Sequence, residues 1–164
     1  MRKFLLIFAI IIAPLLCTAQ SHTYLDALQA YQVGEIAEAH SLFIKEIKAN
    51  PDNDAAHFYL AIIYSANENS HTKAEDEFKK ALAIDPNNYW YKYSLALFYA
   101  ETERMELTTL LLEELIEAFP RKSELYFTAI NAYLNQNDIT KALATLDKIE
   151  GKIGKNEMIG LTRM

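Results

Sequence analysis

Apolar residues recur with helical spacing along the chain, in paired segments separated by short turns. The second segment of each pair shows the pattern most clearly, because its apolar residues lie three or four positions apart and share one helix face. These sets are Ala39, Phe43 and Ile47; Ala74, Phe78 and Leu82; Thr108, Leu112 and Leu115; and Ala142, Leu146 and Ile149. The pattern predicts amphipathic helices arranged in antiparallel hairpins.

The turns between the pairs are regularly spaced. Asn50-Pro51-Asp52-Asn53, Asp85-Pro86-Asn87-Asn88 and Phe119-Pro120-Arg121-Lys122 follow one another at intervals of 35 and 34 residues, and a further 34 residues lead to Gly154. Proline cannot continue a helix and glycine accepts a left-handed helix cap, so each position predicts a helix end. We expect helices at roughly 22–33, 35–49, 54–66, 71–84, 88–101, 104–118, 122–136 and 138–150.

The repeat resembles the tetratricopeptide repeat, whose pattern is a large residue, Leu-Gly, Tyr, Ala with an aromatic residue four later, and Pro. The second unit matches at His57, Leu60, Ala61, Tyr64, Ala74, Phe78, Ala81 and Pro86, with one extra residue in the turn between its helices. Ala or Ile replaces the family's glycine in every first helix. The resemblance covers nearly all of residues 21–154.

This resemblance implies an all-α fold. We expect an α-α solenoid, a right-handed superhelix of about four helical hairpins, because one hairpin cannot bury its apolar face alone. The predicted repeats lie at about 20–53, 54–88, 89–122 and 123–154, within a solenoid domain over 20–154. The first helix of each pair is expected to form a concave inner wall.

The C-terminal residues fit the repeat poorly. A turn is expected at Gly151 and Gly154, and residues 155–164 then begin another apolar stretch with Met158, Leu161 and Met164. We interpret it as a partial next repeat or a capping helix. About ten residues are too short to form a stable helix alone, so we favour a chain that continues beyond Met164.

The N-terminal residues have the pattern of a signal peptide. Arg2 and Lys3 precede an unbroken apolar run from Phe4 to Leu16, and the small residues before Gln20 are typical of a cleavage site. Residues 1–19 are therefore expected to be removed by cleavage after Ala19, which predicts an exported protein, periplasmic or secreted. A membrane-spanning helix would need about 20 apolar residues.

Lipid attachment at Cys17 is not expected, because Leu16 and Pro14 occupy the positions where a lipoprotein has a small and an aliphatic residue. Cys17 is the only cysteine, so the mature chain cannot form an internal disulfide. Without residues 1–19, 14 basic residues face 22 acidic ones, for a net charge of −8. Such a surface repels nucleic acid.

One matched position of each first helix is aromatic: Tyr24, Phe58, Tyr93 and Phe127 are spaced by 34, 35 and 34 residues. One helical turn further on lie Leu28, Ile62, Leu97 and Asn131, and Trp90 lies one turn before Tyr93. We predict that these nine residues form a partner-binding groove in which an aromatic ladder stacks on an extended or helical peptide. Alternatively, the rings fill gaps between neighbouring hairpins.

Proteins of this family that clasp acidic tails do so with Lys, Asn and Arg on the inner wall. Here aromatic residues take the decisive position, and the groove amides Asn131 and Asn135 have no basic pair beside them. We therefore expect an apolar, aromatic or basic ligand.

No motif predicts catalysis. The histidines, His22, His40, His57 and His71, lack a second ligand at helical spacing, so neither metal nor cofactor is expected. The Glu113-Glu114-Glu117 cluster is typical of a solvated helix face. Phosphate-binding glycine loops and nucleophile elbows are absent from the sequence.

These patterns favour a non-enzymatic protein–protein interaction scaffold outside the cytoplasm, with a protein or peptide partner. Two alternatives stay open. The chain could be the sensory or regulatory repeat region of a longer membrane signalling protein, or the non-catalytic arm of a secreted enzyme.

Overall fold

The computed structural model describes residues 21–153, with side chains to residue 149, and over this range the chain is helical without strands. The α-helices are α1 (His22–Gln32), α2 (Ile36–Ala49), α3 (Asp54–Ser65), α4 (His71–Ile84), α5 (Tyr89–Glu101), α6 (Met105–Ala118), α7 (Ser123–Asn135) and α8 (Ile139–Ile153). The predicted all-α solenoid class is confirmed. None of these helices is both long and apolar enough to cross a membrane.

The predicted helix ends lie within one residue of the observed ends, apart from two differences. A short 3₁₀ helix at Glu68–Ser70 fills the turn that holds the extra residue. The turn predicted at Gly151 is wrong, because α8 continues through that residue to Ile153. A single glycine costs a helix only about 1 kcal/mol and does not end it unless the following chain turns away. The predicted signal peptide, Gly154 and residues 155–164 lie outside the described residues.

The chain forms two compact units, over Met1–Pro51 and Asp52–Met164. In the first unit α1 and α2 pack as one antiparallel hairpin. Its core contains fully buried Ala27, Ala39 and Phe43. Ser21 caps α1 by accepting a hydrogen bond from the Tyr24 N–H, and its hydroxyl donates to the buried carboxylate of Glu46.

The second unit contains three hairpins, formed by α3 with α4, α5 with α6, and α7 with α8. Consecutive hairpins are joined by contacts of α4 with α5 and of α6 with α7. One apolar cluster, centred on Phe78, draws residues from α3, α4 and α5, and a second, centred on Leu112 and Tyr126, draws from α5 to α8. Each cluster therefore spans two hairpins, as the repeat pattern requires.

Asparagines of the repeated turns start the next hairpin. The Oδ1 atom of Asn53 accepts a hydrogen bond from the Ala56 N–H, and that of Asn88 accepts from the Trp90 N–H. These side chains satisfy backbone donors at the first turns of α3 and α5, which have no partner within the helix. The turn sequence thus fixes where α3 and α5 begin, whereas α7 begins after Lys122 without a side-chain cap.

Three of the hairpin turns contain a residue in the left-handed backbone conformation. Gly34, Glu103 and Asn137 have positive φ angles of 86°, 59° and 58° and follow the C-termini of α1, α5 and α7. A left-handed residue closes the first helix and lets the chain reverse. Gly34 and Asn137 indicate this turn from sequence, whereas Glu103 does not, since Glu is rarely left-handed.

A polar cluster joins the second and third hairpins through Glu75 of α4. Arg104 Nη1 lies 2.6 Å from Glu75 Oε2, and the Tyr99 hydroxyl donates to Glu75 Oε1 at 3.0 Å. Lys79 Nζ also lies 2.8 Å from Glu75 Oε1. The guanidinium lies 4.4 Å from the centroid of the Tyr99 ring, so it makes a cation–π contact as well as an ion pair.

This cluster predicts acid sensitivity. Burial alone would raise the pKa of Glu75, but hydrogen bonds from Arg104, Lys79 and Tyr99 outweigh burial and lower it from 4.5 to about 2. Because the folded pKa lies below the ordinary value, the stabilisation is complete above pH 4.5 and is lost as the pH falls towards 2. Solvent screening limits it to about 1 kcal/mol.

Urea unfolding of Glu75→Gln at several pH values between 6 and 2 measures this contribution. The variant should lose stability at neutral pH and show a shallower decline on acidification than the unmodified chain. Arg104→Gln should flatten the same part of the profile. Identical slopes in all three proteins would mean that this carboxylate does not contribute to acid unfolding.

Candidate functional site

In the second unit the predicted groove residues lie on the first helix of each hairpin, α3, α5 and α7. We call this set the first-helix surface: Phe58, Ile62, Trp90, Tyr93, Leu97, Phe127 and Asn131. Trp90 is 63% exposed and Leu97 is 37% exposed, and Asn131 is also exposed. The other four side chains are half-buried and pack against the two apolar clusters. Each of these four therefore belongs to the core on one side and borders solvent on the other.

Two predicted groove residues belong to the first unit, and one of them must be corrected. Tyr24 is only 5% exposed, and its ring centroid lies 6.1 Å from that of Phe43 in the core of the first hairpin. It offers a partner little surface, because close packing with α2 encloses the ring. Leu28 is half-buried. Tyr24 is therefore removed from the predicted groove, whereas the groove role of Leu28 stays a prediction.

Phe58 is fixed by aromatic neighbours. Its ring stacks on Tyr91 of the next hairpin, with centroids 4.7 Å apart, and meets Phe78 edge-on at 6.1 Å. The Tyr91 hydroxyl donates a hydrogen bond to Asp54 Oδ2 at 2.9 Å. Ring contacts and this polar link hold α3 against α5, so the position of Phe58 is set before any ligand arrives.

Trp90 and Tyr93 are held by a residue that the sequence analysis missed. Tyr89 stacks on Tyr93 with centroids 5.6 Å apart and meets Trp90 edge-on at 5.0 Å. Phe119 meets the Tyr89 ring edge-on at 5.1 Å. The run Tyr89-Trp90-Tyr91 could have indicated this role, because consecutive aromatic residues on a helix must face different neighbours.

Charged groups lie beside these rings. Lys122 Nζ lies 4.3 Å from the Tyr89 ring centroid and 3.4 Å from Glu124 Oε1. The Tyr89 hydroxyl donates to the same carboxylate oxygen at 3.4 Å. Burial, followed by the negative charge of Glu124, raises the pKa of Tyr89 to about 12. A backbone hydrogen bond, with help from Lys122, lowers the pKa of Glu124, which is therefore ionised at neutral pH.

Two histidines outside the first-helix surface make structural contacts. His57, predicted only to fill a large-residue position, is buried with Nδ1 2.5 Å from Glu77 Oε2. His71 is half-buried and meets the Phe98 ring edge-on at 5.4 Å. Among the described residues, no three His, Cys, Asp or Glu side chains come together as a metal-binding group.

A polar cleft of about 210 Å³ lies among α6, α7 and α8, lined by Glu113, Ile116, Glu117, Tyr133, Thr145 and Lys148. The Tyr133 hydroxyl donates a hydrogen bond to Glu113. Burial, reinforced by that bond, raises the pKa of Tyr133 above its usual range, so the hydroxyl keeps its proton at neutral pH. It therefore serves as a structural donor to a carboxylate that the sequence analysis placed on a solvated face.

The fold defines a class of protein, the all-α solenoid of helical hairpins. The family model described as "Tetratricopeptide repeat" matches residues 24–89. This match covers the second predicted repeat, at about 54–88, where the sequence pattern is clearest. No curated protein matches the chain.

Several solved structures share the fold. A tetratricopeptide repeat protein from Parabacteroides merdae ATCC 43184 is 18% identical, with a TM-score of 0.61 over 86% of this chain. The chain spans only 55% of that protein's length. MamA from AMB-1 is 18% identical, with a TM-score of 0.68 over 84% of this chain and 74% of its own. MamA from Desulfovibrio magneticus RS-1 is 17% identical, with a TM-score of 0.69. The match covers 84% of this chain and 77% of that protein. At these identities the likeness extends to the fold alone.

Proposed function

We propose that this chain is a non-enzymatic protein–protein interaction scaffold that holds a peptide or helix against the first-helix surface. The observation that carries the proposal is the exposure of Trp90 and Leu97 on the same helix as half-buried Tyr93. A large exposed indole beside further apolar groups favours contact with another polypeptide. The tetratricopeptide fold supports the same general role.

The rigidity of the site also supports binding. Tyr93 is fixed by Tyr89, and Phe58 is fixed by Tyr91, so these rings lose little conformational freedom when a ligand docks. Binding to a preorganised surface costs less ordering entropy than binding to mobile side chains. A polypeptide is the ligand class that can contact α3, α5 and α7 at once, because these helices present separate apolar groups along an extended surface.

We also propose that the protein works outside the cytoplasm. The proposal rests on the basic start, the apolar run and the small residues before Gln20. N-terminal sequencing of the protein recovered from outside the cytoplasm should begin at Gln20. Recovery of the full-length chain in the cytoplasm alone would contradict export.

Site-specific photo-cross-linking in the native cell tests the binding surface. A photoreactive amino acid is placed at Leu97 on the first-helix surface or, as a matched control, at Leu110 on α6, which is 53% exposed. We expect a discrete cross-linked polypeptide with the group at position 97 and none with it at 110. Equal cross-linking at both positions, or none at 97, would overturn the proposed binding surface.

A further inference from the structure

The charges of the first helices restrict the partner. In the second unit, α3, α5 and α7 carry the acidic residues Asp54, Glu101 and Glu124 and one lysine, Lys92. The charge of Lys92 is offset by Glu114 of α6, whose Oε2 lies 2.8 Å from the Lys92 Nζ. Asp54 is half-buried and accepts the Tyr91 hydrogen bond, whereas Glu101 and Glu124 are exposed. Lys122, which precedes α7, pairs with Glu124 alone within the described part of the chain, so the border of the apolar surface carries an excess of negative charge.

Half-buried Tyr89 lies between the exposed Trp90 ring and one of these carboxylates. The Tyr89 ring contacts Trp90 at one side, and its hydroxyl contacts Glu124 at the other. A tryptophan face attracts cations more strongly than any other aromatic side chain. The two rings and the carboxylate at the far side of Tyr89 together suit a group that is flat, cationic and rich in hydrogen-bond donors.

The structure already places one cation, the ammonium of Lys122, between an aromatic ring and a carboxylate. The ammonium of Lys122 lies over the Tyr89 ring and beside Glu124, at the distances given above. The side chains of Lys122 and Glu124 are 40% and 49% exposed. An exposed ion pair of this kind contributes only about 0–1 kcal/mol to the stability of the fold. An incoming cation can therefore share the Glu124 carboxylate or replace Lys122 with little loss of free energy.

We infer that the first-helix surface selects a basic polypeptide segment, in which an arginine or lysine binds Glu124 across the Tyr89–Trp90 ring pair and neighbouring apolar side chains contact Leu97 and Phe127. This inference rests on the proposed function. Arginine is the better fit, because its planar guanidinium stacks on a ring while donating two hydrogen bonds to a carboxylate. An acidic segment is disfavoured, since Glu101 and Glu124 would repel it.

The test uses the full chain and a phage-displayed library of random peptides of about 12 residues, long enough to contact two or more helices. We expect the selected peptides to be enriched in arginine or lysine flanked by apolar residues. Trp90 is the only tryptophan, so its fluorescence reports binding of a synthetic selected peptide directly at the site.

Two substitutions separate the charge effect from general binding. Replacing the peptide's arginine by neutral citrulline should weaken binding about fivefold, and Glu124→Gln in the protein should weaken binding of the arginine peptide by a similar factor. Glu106→Gln is the matched control, because Glu106 is an exposed glutamate on α6, outside the first-helix surface. It should leave the affinity unchanged.

The outcomes distinguish the two proposals. If no peptide is selected, the proposed function is contradicted together with the inference. If peptides are selected and quench or enhance Trp90 fluorescence but lack basic residues, the inference fails and the binding surface stands. Equal affinity for the arginine and citrulline peptides, or no effect of Glu124→Gln, also overturns the inference.

Discussion

Replacing Leu112 by Ala is expected to lower the free energy of unfolding by about 3 kcal/mol. Leu112 has no exposed surface and lies in the cluster that joins the third and fourth hairpins. Truncating it removes buried apolar contacts and leaves a cavity beside Tyr126, which is itself only 1% exposed. In a solenoid, nearest-neighbour contacts supply much of the stability, so the loss should affect both hairpins.

The matched control is Leu110→Ala on the same helix. Leu110 is 53% exposed, so the same substitution there should change stability by no more than about 0.5 kcal/mol. Urea unfolding followed by circular dichroism measures both variants. Similar losses for the two leucines would contradict the assignment of Leu112 to the core.

Glu77→Ala is expected to cost about 3 kcal/mol, because it breaks a buried pair and leaves His57 without its carboxylate. His57 and Glu77 are 5% and 8% exposed, and Lys80 Nζ lies 2.7 Å from the other carboxylate oxygen. Burial would raise the pKa of Glu77, but hydrogen bonds from His57 and Lys80 prevail and lower it. The ionised carboxylate of Glu77 therefore holds α4 against α3 through its contact with His57.

Two further variants test this interpretation by thermal or urea unfolding. Asp76→Ala, at an exposed position on the same helix, should change stability by less than about 0.5 kcal/mol. Replacing the pair together, with His57→Phe and Glu77→Met, should recover most of the loss, since apolar residues of similar volume often substitute for buried pairs. A double variant as unstable as Glu77→Ala would show that the polar pair itself is required.

The helices could be predicted because their signals are local and repeat. Asn53 and Asn88 cap helices through their own side chains, and the prolines before them block helix continuation. The apolar positions at Phe78 and Leu146 recur at one repeat length or a multiple of it, so each unit supports the interpretation of the others. Errors therefore appeared where the repeat is irregular, at the 3₁₀ turn and at Gly151.

The contacts of the candidate site were less accessible to sequence analysis, because they depend on neighbouring hairpins. The stacking of Phe58 on Tyr91 joins residues 33 positions apart, and the approach of Lys122 to Tyr89 joins residues equally far apart. Helical spacing identifies which residues share a face but not which rings meet across helices. Tyr24 shows the limit most clearly, since its position matches Phe58 in sequence although it lies in the core of its own hairpin.

The central claim is that a polypeptide binds the exposed apolar groups of the first helices, and its most direct test is an affinity measurement with the partner that cross-linking identifies. The variant of the first-helix surface combines Trp90→Ser with Leu97→Ser. The control variant combines Leu110→Ser with Leu143→Ser on the second helices α6 and α8, where both leucines are more than half exposed. We predict that the variant of the first-helix surface binds the partner at least about tenfold more weakly, while the control variant binds it as the unmodified chain does. Equal affinity of the two variants, with both folded, would contradict the account.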